Sequence, residues 1–262
     1  MEVDEVNEPI LALRGVNKSF GPVHVLHDVD FSVRPGEVTA LVGDNGAGKS
    51  TLVKCIAGIH PTDSGEIFFD GKPAHISSPR DAAALGIEVV YQDLALADNL
   101  DVVQNMFLGR ERLRRGVLDE ASMELDARRT LASLSVRTVK SVRTPVSALS
   151  GGQRQTVAIA KAVLWDSKVV LLDEPTAALG VAQTRQVLDL VRRLAEQGLG
   201  VVLISHNMND VFEVADRIAT LYLGRLAADV ATKDVTNSQI VELITTGRSG
   251  DLGLARPEAA AV

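Results

Sequence analysis

The feature that most constrains this chain is GDNGAGKS at residues 43–50, which matches the spacing G-x-x-x-x-G-K-[ST]. The apolar run VTALV comes directly before it, and the helical pattern TLVKCIAG follows it. Gly43, Gly46 and Gly48 permit backbone angles and close approaches that a side chain would block. Successive backbone amides can then point at phosphate oxygens, helped by the positive end of the helix. The stretch therefore predicts a strand, a phosphate-binding loop and a helix, in that order.

Single residues of this loop have separate predicted roles. Lys49 would place its ammonium on the β- and γ-phosphates, Ser50 would bind magnesium, and Thr51 would reach a phosphate nearer the ribose. The loop alone indicates a nucleoside triphosphate with Mg2+, but not which kind of nucleotide-hydrolysing protein carries it. The residues expected to contact the nucleotide here are Gly43, Asp44, Asn45, Gly46, Ala47, Gly48, Lys49, Ser50 and Thr51.

A second glycine-rich stretch, LSGGQ at residues 149–153, precedes the apolar-periodic helix RQTVAIAKAVLW. Ser150 is a good helix-capping residue, while Gly151 and Gly152 leave the first helical amides bare. A bare helix N-terminus is a second place where an anion can bind. Taken alone, the stretch is equally compatible with a flexible loop before a helix.

Short apolar, β-rich runs recur along the chain and predict its fold class. Several are continuous, as in buried parallel strands, and helical stretches at 181–197 and 207–215 separate the later ones. The early runs lie close together and are predicted to be antiparallel. Residues 93–164 lack convincing strands and are predicted to form a helical insertion. The runs are ILALRGV, HVLHDVDFSV, VTALVG, EIFFD, IEVVYQ, VVLLDE, VVLIS and IATLYL.

Together with the phosphate-binding loop, LSGGQ resembles the signature of ABC transporter ATP-binding subunits, and residues from about 10 to 246 follow that family's motif order. The resemblance implies an α/β fold: a P-loop NTPase ABC ATPase core with an antiparallel β-subdomain and an inserted helical subdomain. It also implies that ATP and Mg2+ bind between two head-to-tail subunits. Ser150, Gly151, Gly152 and Gln153 of one subunit would cap the γ-phosphate held by the loop of the other.

The same resemblance assigns further site residues. In VVLLDEP, Asp173 matches the residue that holds magnesium through water, and Glu174 matches the general base. Carboxylates at the end of a buried strand are costly unless they are paired, which favours a functional role. Gln92 matches the glutamine that touches magnesium and the attacking water, His206 the switch histidine, and Phe20 the aromatic that stacks on adenine. The expected catalytic residues are Lys49, Gln92, Glu174 and His206, and the expected magnesium ligands are Ser50, Gln92 and Asp173.

One position departs from the family pattern. After PTAAL the family usually has Asp, which helps to connect the two subunits, whereas this chain has Gly180. PTAALG, VYQDLALADNL and FLGRE resemble the branch that imports monosaccharides such as ribose, xylose or fructose. Many members of that branch carry two ATPase domains in one chain, so this chain is expected to pair with a second ATP-binding subunit, in a homodimer or with a relative.

Length and composition set the predicted organisation. Residues 9–247 are expected to form the ATP-binding domain, with its helical subdomain at about 93–164, between an acidic tail at 1–8 and a second tail at 248–262. The formal net charge of -7 disfavours a dedicated nucleic-acid binder. The single cysteine, Cys55, fits a reducing compartment, and the sequence contains no apolar run of membrane-spanning length and no signal-peptide pattern.

The predicted function is ATP-driven import of a small solute through a separate integral-membrane permease, at the cytoplasmic face of the membrane. An extracytoplasmic solute-binding protein would be an indirect partner, and no nucleic acid is expected. Two other classes stay open at this point: a soluble ABC-type ATPase of translation or DNA maintenance, and a regulatory subunit without hydrolysis. Export is a further alternative within transporters.

Overall fold

The computed structural model describes residues 8–136 and 138–248, so the predicted tails lie almost wholly outside the described residues. The strands of this part are β1 (Leu11–Phe20), β2 (Val23–Val33), β3 (Val38–Val42), β4 (Ser64–Phe69), β5 (Lys72–Ala74), β6 (Ile87–Val90), β7 (Leu113–Arg114), β8 (Val117–Leu118), β9 (Val169–Asp173), β10 (Gly200–Ile204), β11 (Arg217–Tyr222) and β12 (Arg225–Ala231). The helices are α1 (Lys49–Ile56), α2 (Pro79–Ala84), α3 (Val102–Phe107), α4 (Glu120–Ser133), α5 (Gly151–Val163), α6 (Val181–Glu196), α7 (Met208–Val214) and α8 (Asn237–Thr246).

The strands form two main sheets of different kinds. The early strands make an antiparallel sheet in the order β2-β1-β4-β5. The later ones make a six-stranded sheet in the order β12-β11-β3-β10-β9-β6, in which only the edge strand β12 is antiparallel to its neighbour. The predicted antiparallel early region and parallel later region are both confirmed.

The central strands are buried on both faces, which explains their continuous apolar sequences. All five residues of β3 and all five of β10 are buried. One face of the sheet packs on α1 and the antiparallel sheet, and the other packs on the helices α5, α6 and α7. The parallel strands therefore end together at one edge of a rigid sheet, which is where ligands bind in folds of this kind.

The region between β6 and β9 is mainly helical, as predicted, but it also contains a short hairpin that was not. Strands β7 and β8 pair across a turn in which Arg115 and Gly116 both have positive φ, of 55° and 82°. Two consecutive positive φ angles suit the tight turn of a two-residue hairpin. The arginine-rich stretch at 110–115 is exposed and leads into this hairpin, and its Arg112 pairs with Asp126.

Across residues 8–136 and 138–248, we find no helix with the length and apolar character needed to cross a bilayer.

Candidate functional site

The phosphate-binding loop connects the buried strand β3 to α1 at the carboxyl edge of the parallel sheet. Gly43 has φ 155°, and a Cβ there would lie 2.3 Å from the backbone oxygen of Leu221. Gly48 has φ 105°, and its Cβ would lie 2.9 Å from the side chain of Leu26. A side chain would therefore collide with its neighbours at both positions, so the fold requires glycine at each.

The amino end of α1 faces this loop without a side-chain cap. Gly48 occupies the N-cap position, no side chain accepts a hydrogen bond from the first amides, and the first turn contains no acidic residue. Uncapped amides at a helix N-terminus attract an anion through both their hydrogens and the helix dipole.

Lys49 folds back over the loop. Its Nζ donates to the carbonyl oxygens of Gly43 at 2.7 Å and Asp44 at 3.0 Å. Burial lowers the pKa of Lys49, while the carboxylates of Glu174, Asp44 and Asp173 act in the opposite direction. The ammonium is thus held against the loop and within electrostatic reach of the acidic residues that follow β9.

These acidic residues stand beside the loop because their strands are neighbours. Ile204 of β10 is paired with Leu41 of β3 on one side and with Asp173 of β9 on the other. Burial raises the pKa of Asp173, and repulsion from Glu174 raises it further, while Lys49 partly offsets both effects. Negative charge is therefore costly at this position, and a bound cation would stabilise it.

Glu174 follows the end of β9 in a left-handed backbone conformation, with φ 50°. Its amide donates to the carbonyl oxygen of Ile204 at 2.9 Å, which fixes the turn. Its Oε2 lies 2.8 Å from Nδ1 of His206, and because an ionised carboxylate can only accept, Nδ1 is the donor. The Glu174 side chain is 16% exposed and that of His206 is 77% exposed, so the pair lies at the surface of the sheet edge.

Two groups around this pair were not predicted. Asp210 is buried at the start of α7 and accepts hydrogen bonds from Oγ1 of Thr176 at 2.6 Å and from Nδ2 of Asn207 at 2.9 Å. It thereby connects the loop after β9 to the turn after β10. Asp210 shares its short helix with the polar residues Asn209 and Glu213, so no sequence pattern distinguished it.

Tyr91 lies near Asp173: burial raises the pKa of its hydroxyl, and the Asp173 charge adds to the effect.

Gln92 and His206 each lie two residues beyond the end of a parallel strand. Strand β6 ends at Val90, which is paired with Leu172, so Gln92 follows on the same edge as Asp173 and is exposed. β10 likewise ends at Ile204. Both side chains therefore extend from loops at the carboxyl edge of the sheet.

The stretch LSGGQ begins α5. Ser150 and Gln153 form a capping box: the Ser150 hydroxyl accepts from the Gln153 amide at 3.4 Å, and Gln153 Oε1 accepts from the Ser150 amide at 2.8 Å. A Cβ on Gly151 would lie 3.3 Å from Leu179, and one on Gly152 would lie 3.0 Å from Gln183. The two glycines thus also serve close packing against the start of α6, a reason that the sequence did not reveal.

Within the described residues, the two glycine-rich stretches do not bond to each other. In the part of the chain that the structure describes, no hydrogen bond or ion pair connects residues 43–51 with residues 150–153. Residues 43–51 bond within their own loop at the start of α1, whereas residues 150–153 cap α5 and pack against the start of α6.

Phe20 ends β1 and is 42% exposed. Its ring centroid lies 5.1 Å from that of His60 with the planes at 77°, and Nζ of Lys18 lies 5.5 Å from it. The ring therefore has neighbours that orient it and also a free surface that a flat ligand can cover.

Comparison with known sequences gives the chain's relatives. The family model described as "ABC transporter" matches residues 26–177. The chain is 49% identical over 245 residues to the fructose import ATP-binding protein FrcA of Rhizobium meliloti, covering 91% of this chain and 94% of that protein. It is 44% identical over 245 residues to the xylose/arabinose import ATP-binding protein XylG of Sulfolobus acidocaldarius, covering 94% and 97%. The ribose import ATP-binding protein RbsA 1 of Rubrobacter xylanophilus is 44% identical, but the match covers only 48% of its length.

Solved structures show the same fold. CbiO1 from Clostridium perfringens, part of the ABC transporter complex cbiONQ, matches with a TM-score of 0.77 and 28% identity, covering 94% of this chain and 98% of that one. A nucleotide-free ATP-binding cassette from an ABC transporter matches with a TM-score of 0.77 and 25% identity, covering 90% and 98%.

Proposed function

This chain belongs to the ABC transporter family, and from that membership we propose that it binds and hydrolyses ATP to drive import of a monosaccharide through a separate membrane permease. The observation that carries the proposal is the convergence of the phosphate-binding loop, two carboxylates and a histidine at one sheet edge. Relatives that match over nearly their whole length are import ATP-binding proteins for fructose and for xylose or arabinose. These relatives support a monosaccharide as the solute that the proposed transporter imports.

ATP would bind with its phosphates on the loop and its base on β1. The amides of residues 43–51 and the ammonium of Lys49 would hold the phosphates, as the positive φ glycines and the uncapped helix allow. The exposed ring of Phe20 would stack on adenine, since a flat aromatic face suits any base.

The residues at this edge fit Mg2+. The hydroxyl of Ser50, the carboxylate of Asp173 and the side-chain oxygen of Gln92 are hard oxygen donors, and Mg2+ is usually bound by one or two carboxylates together with substrate phosphates. The half-buried carboxylate of Asp173 also favours a cation. When bound, Mg2+ would neutralise charge on the phosphate oxygens.

Hydrolysis requires a base beside the γ-phosphate. Glu174 would accept a proton from the water that attacks the γ-phosphorus, while the bond from phosphorus to the bridging oxygen breaks and ADP leaves. His206 would hold the Glu174 carboxylate through the 2.8 Å hydrogen bond from Nδ1. The residues that cap the γ-phosphate, Ser150 to Gln153, would come from a second subunit, because the chain's own LSGGQ stretch is not joined to its phosphate-binding loop.

The permease would contact the helical region, with the chain lying at the cytoplasmic face of the membrane and a solute-binding protein acting from the other side. A groove of about 180 Å3 between α3 and the β7–β8 hairpin is lined mainly by apolar side chains, including Val103 and Phe107, together with polar ones such as Arg143. Leu108, which lines this groove, is 44% exposed, and Leu113 and Val117 on the hairpin are 67% and 70% exposed. We expect residues 93–110 and this groove to receive a loop of the permease.

The chemical part of the proposal is tested with two variants measured side by side. Glu174→Gln should lower kcat by at least roughly 100-fold while ATP still binds, because only the base is lost. Lys49→Ala should instead weaken ATP binding itself, since it removes a charge from the phosphates. Steady-state hydrolysis and equilibrium binding distinguish the two, and near-normal turnover by Glu174→Gln would contradict the assignment of the base.

The transport part is tested by affinity purification of the tagged chain from detergent-solubilised membranes. We expect a multi-span permease to co-purify, and the Leu108→Glu variant to lose it while keeping its ATPase activity. Val241→Glu, on the exposed face of α8 at 46% exposure, is the matched control. Recovery of ribosomes or DNA-repair proteins in place of a permease would overturn the transport role but leave the ATPase chemistry intact.

A further inference from the structure

We infer that His60 is a positioning residue for the nucleobase, and that it acts by fixing the ring of Phe20. The inference rests on the proposed function, in which that ring stacks on adenine. The two rings are in edge-to-face contact, with centroids 5.1 Å apart and planes at 77°. This geometry is a favourable one for an aromatic pair.

The segment that carries His60 is fastened to β1 directly beside Phe20. The amide of Asp63 donates to the carbonyl oxygen of Asn17 at 2.9 Å. The Asp63 carboxylate binds Nζ of Lys18 at 2.7 Å through one oxygen and accepts from the amide of Ser19 at 2.6 Å through the other. The bond from Lys18, and then that from Ser19, hold the pKa of this carboxyl below its usual value. The carboxylate therefore stays ionised at neutral pH and keeps both bonds.

The other end of the segment is fastened to the phosphate-binding helix. The amides of Ile59 and His60 both donate to the carbonyl oxygen of Lys54 in α1, at 2.9 and 3.2 Å. Gly58, which directly precedes Ile59, has φ 71°, and a Cβ there would lie 2.3 Å from the backbone oxygen of Ser78. His60 is thus held at a fixed place between α1, which would bind the phosphates, and the ring that would bind the base.

A ring whose orientation is already fixed binds a base more tightly than a ring that is free to change rotamer. A phenyl group at a strand end that is 42% exposed has rotamers to lose when a ligand stacks on it. The contact with His60 removes part of that loss before ATP arrives. From the usual strength of aromatic pairs, we expect His60 to contribute roughly 2- to 10-fold in nucleotide affinity.

The test compares a ligand that has the base with one that lacks it. The full chain is titrated calorimetrically with ADP and with inorganic pyrophosphate, which needs no hydrolysis. His60→Ala should weaken ADP binding by roughly 2- to 10-fold and leave pyrophosphate binding unchanged. His60→Phe should retain ADP affinity, because a phenyl edge can make the same contact. His75→Ala, an exposed histidine between β5 and α2, is the matched control and should change neither affinity.

A parallel variant, Phe20→Ala, keeps this inference distinct from the proposed function. If Phe20→Ala weakens ADP binding and His60→Ala does not, His60 has no positioning role and the proposed function stands. If His60→Ala weakens ADP and pyrophosphate equally, the residue is only structural and the inference is overturned. If Phe20→Ala leaves ADP affinity unchanged, Phe20 does not stack on the base and the inference is overturned. The phosphate site is tested separately, by the effect of Lys49→Ala on the affinity for pyrophosphate.

Discussion

Glu174 shows how a single residue is prepared for its proposed role by backbone and neighbours together. Its positive φ and the hydrogen bond from its amide to Ile204 fix the backbone. The hydrogen bond from His206 fixes the carboxylate. A non-glycine residue with positive φ is strained and needs surrounding structure to hold it there. Such strain at the end of a buried strand is typical of functional sites.

Cys55 offers a prediction at the residue scale because its environment is the opposite of a reactive one. It is fully buried in α1, and burial raises the pKa of its thiol from 9.0 to about 11. At pH 8 the thiolate fraction is then roughly 100-fold lower than for an exposed thiol, and the thiolate is the reactive form. We expect thiol reagents to label the native protein at least that much more slowly than the denatured protein. Labelling of the native protein at the rate of the denatured one would contradict the buried assignment.

The raised pKa of Cys55 also determines how the free energy of unfolding changes with pH. A thiol whose pKa is raised by folding costs stability only where the unfolded chain would ionise, so its effect on unfolding free energy is absent below about pH 9. Stability is lost as the pH rises from there towards 11. A Cys55→Ala variant should lack this part of the alkaline loss.

The sequence predicted most residues of the candidate site, but not every contact that holds them in place. The proposed role of Lys49 follows from its loop, because the spacing of the glycines and the adjacent strand and helix predict a phosphate site. Gln92, Glu174 and His206 are far apart in the chain, so only a resemblance could group them. The packing of Gly152 against Gln183 depends on how α5 meets α6, which no local pattern encodes.

At the scale of elements, α6 begins at a position that invites a stabilising change. Gly180 is its N-cap, with φ -73° and ψ 160°, and a Cβ there would meet nothing within 4 Å. Gly180→Asp should cap the free amides and reduce the entropy of the unfolded chain, raising the unfolding free energy by about 1 kcal/mol. Urea denaturation measures this. Gly198→Asp, at a position with φ 90°, is the contrasting control and should destabilise the protein.

The elements that the sequence did not predict include helices α2 and α8 and the edge strand β12. Helix α6 was predicted at 181–197 and lies at Val181–Glu196, because its apolar stripe spans four turns. Helices α2 and α8 are 6 and 10 residues long and were not predicted. Both begin with a capping box, Ser78 with Asp81 and Thr236 with Gln239, so a start signal was present even though the apolar repeat was too short to read.

At the scale of the whole molecule, the proposed ATP site needs two chains, and this predicts a change of mass. The chain is 27.9 kDa, and the Glu174→Gln variant with ATP and Mg2+ should form a dimer of about twice that mass by light scattering. Ser150→Asp should prevent the dimer, because Asp still caps α5 but places a carboxylate against the γ-phosphate.

The matched control is Ser150→Asn, which caps a helix equally well and carries no charge, and which should dimerise. If Ser150→Asp dimerises as readily as Ser150→Asn, the signature residues do not face the nucleotide of the partner. A protein that stays monomeric with ATP in all variants would point to assembly only on the permease.

The pairing of β6 with β9 has a consequence for how such chains diversify. These strands are neighbours in the sheet, although the entire helical region lies between them in the chain. That region therefore leaves and re-enters the core at adjacent points, as an inserted cassette does. Its middle part, from α3 to α4, can be lengthened, trimmed or exchanged between relatives without changing the spacing of Lys49, Asp173 and His206, whereas Gln92 and the LSGGQ stretch of α5 have to be kept. The same ATPase core can thus be combined with a different version of the proposed permease-contacting region, by recombination at two points that lie close together in the structure.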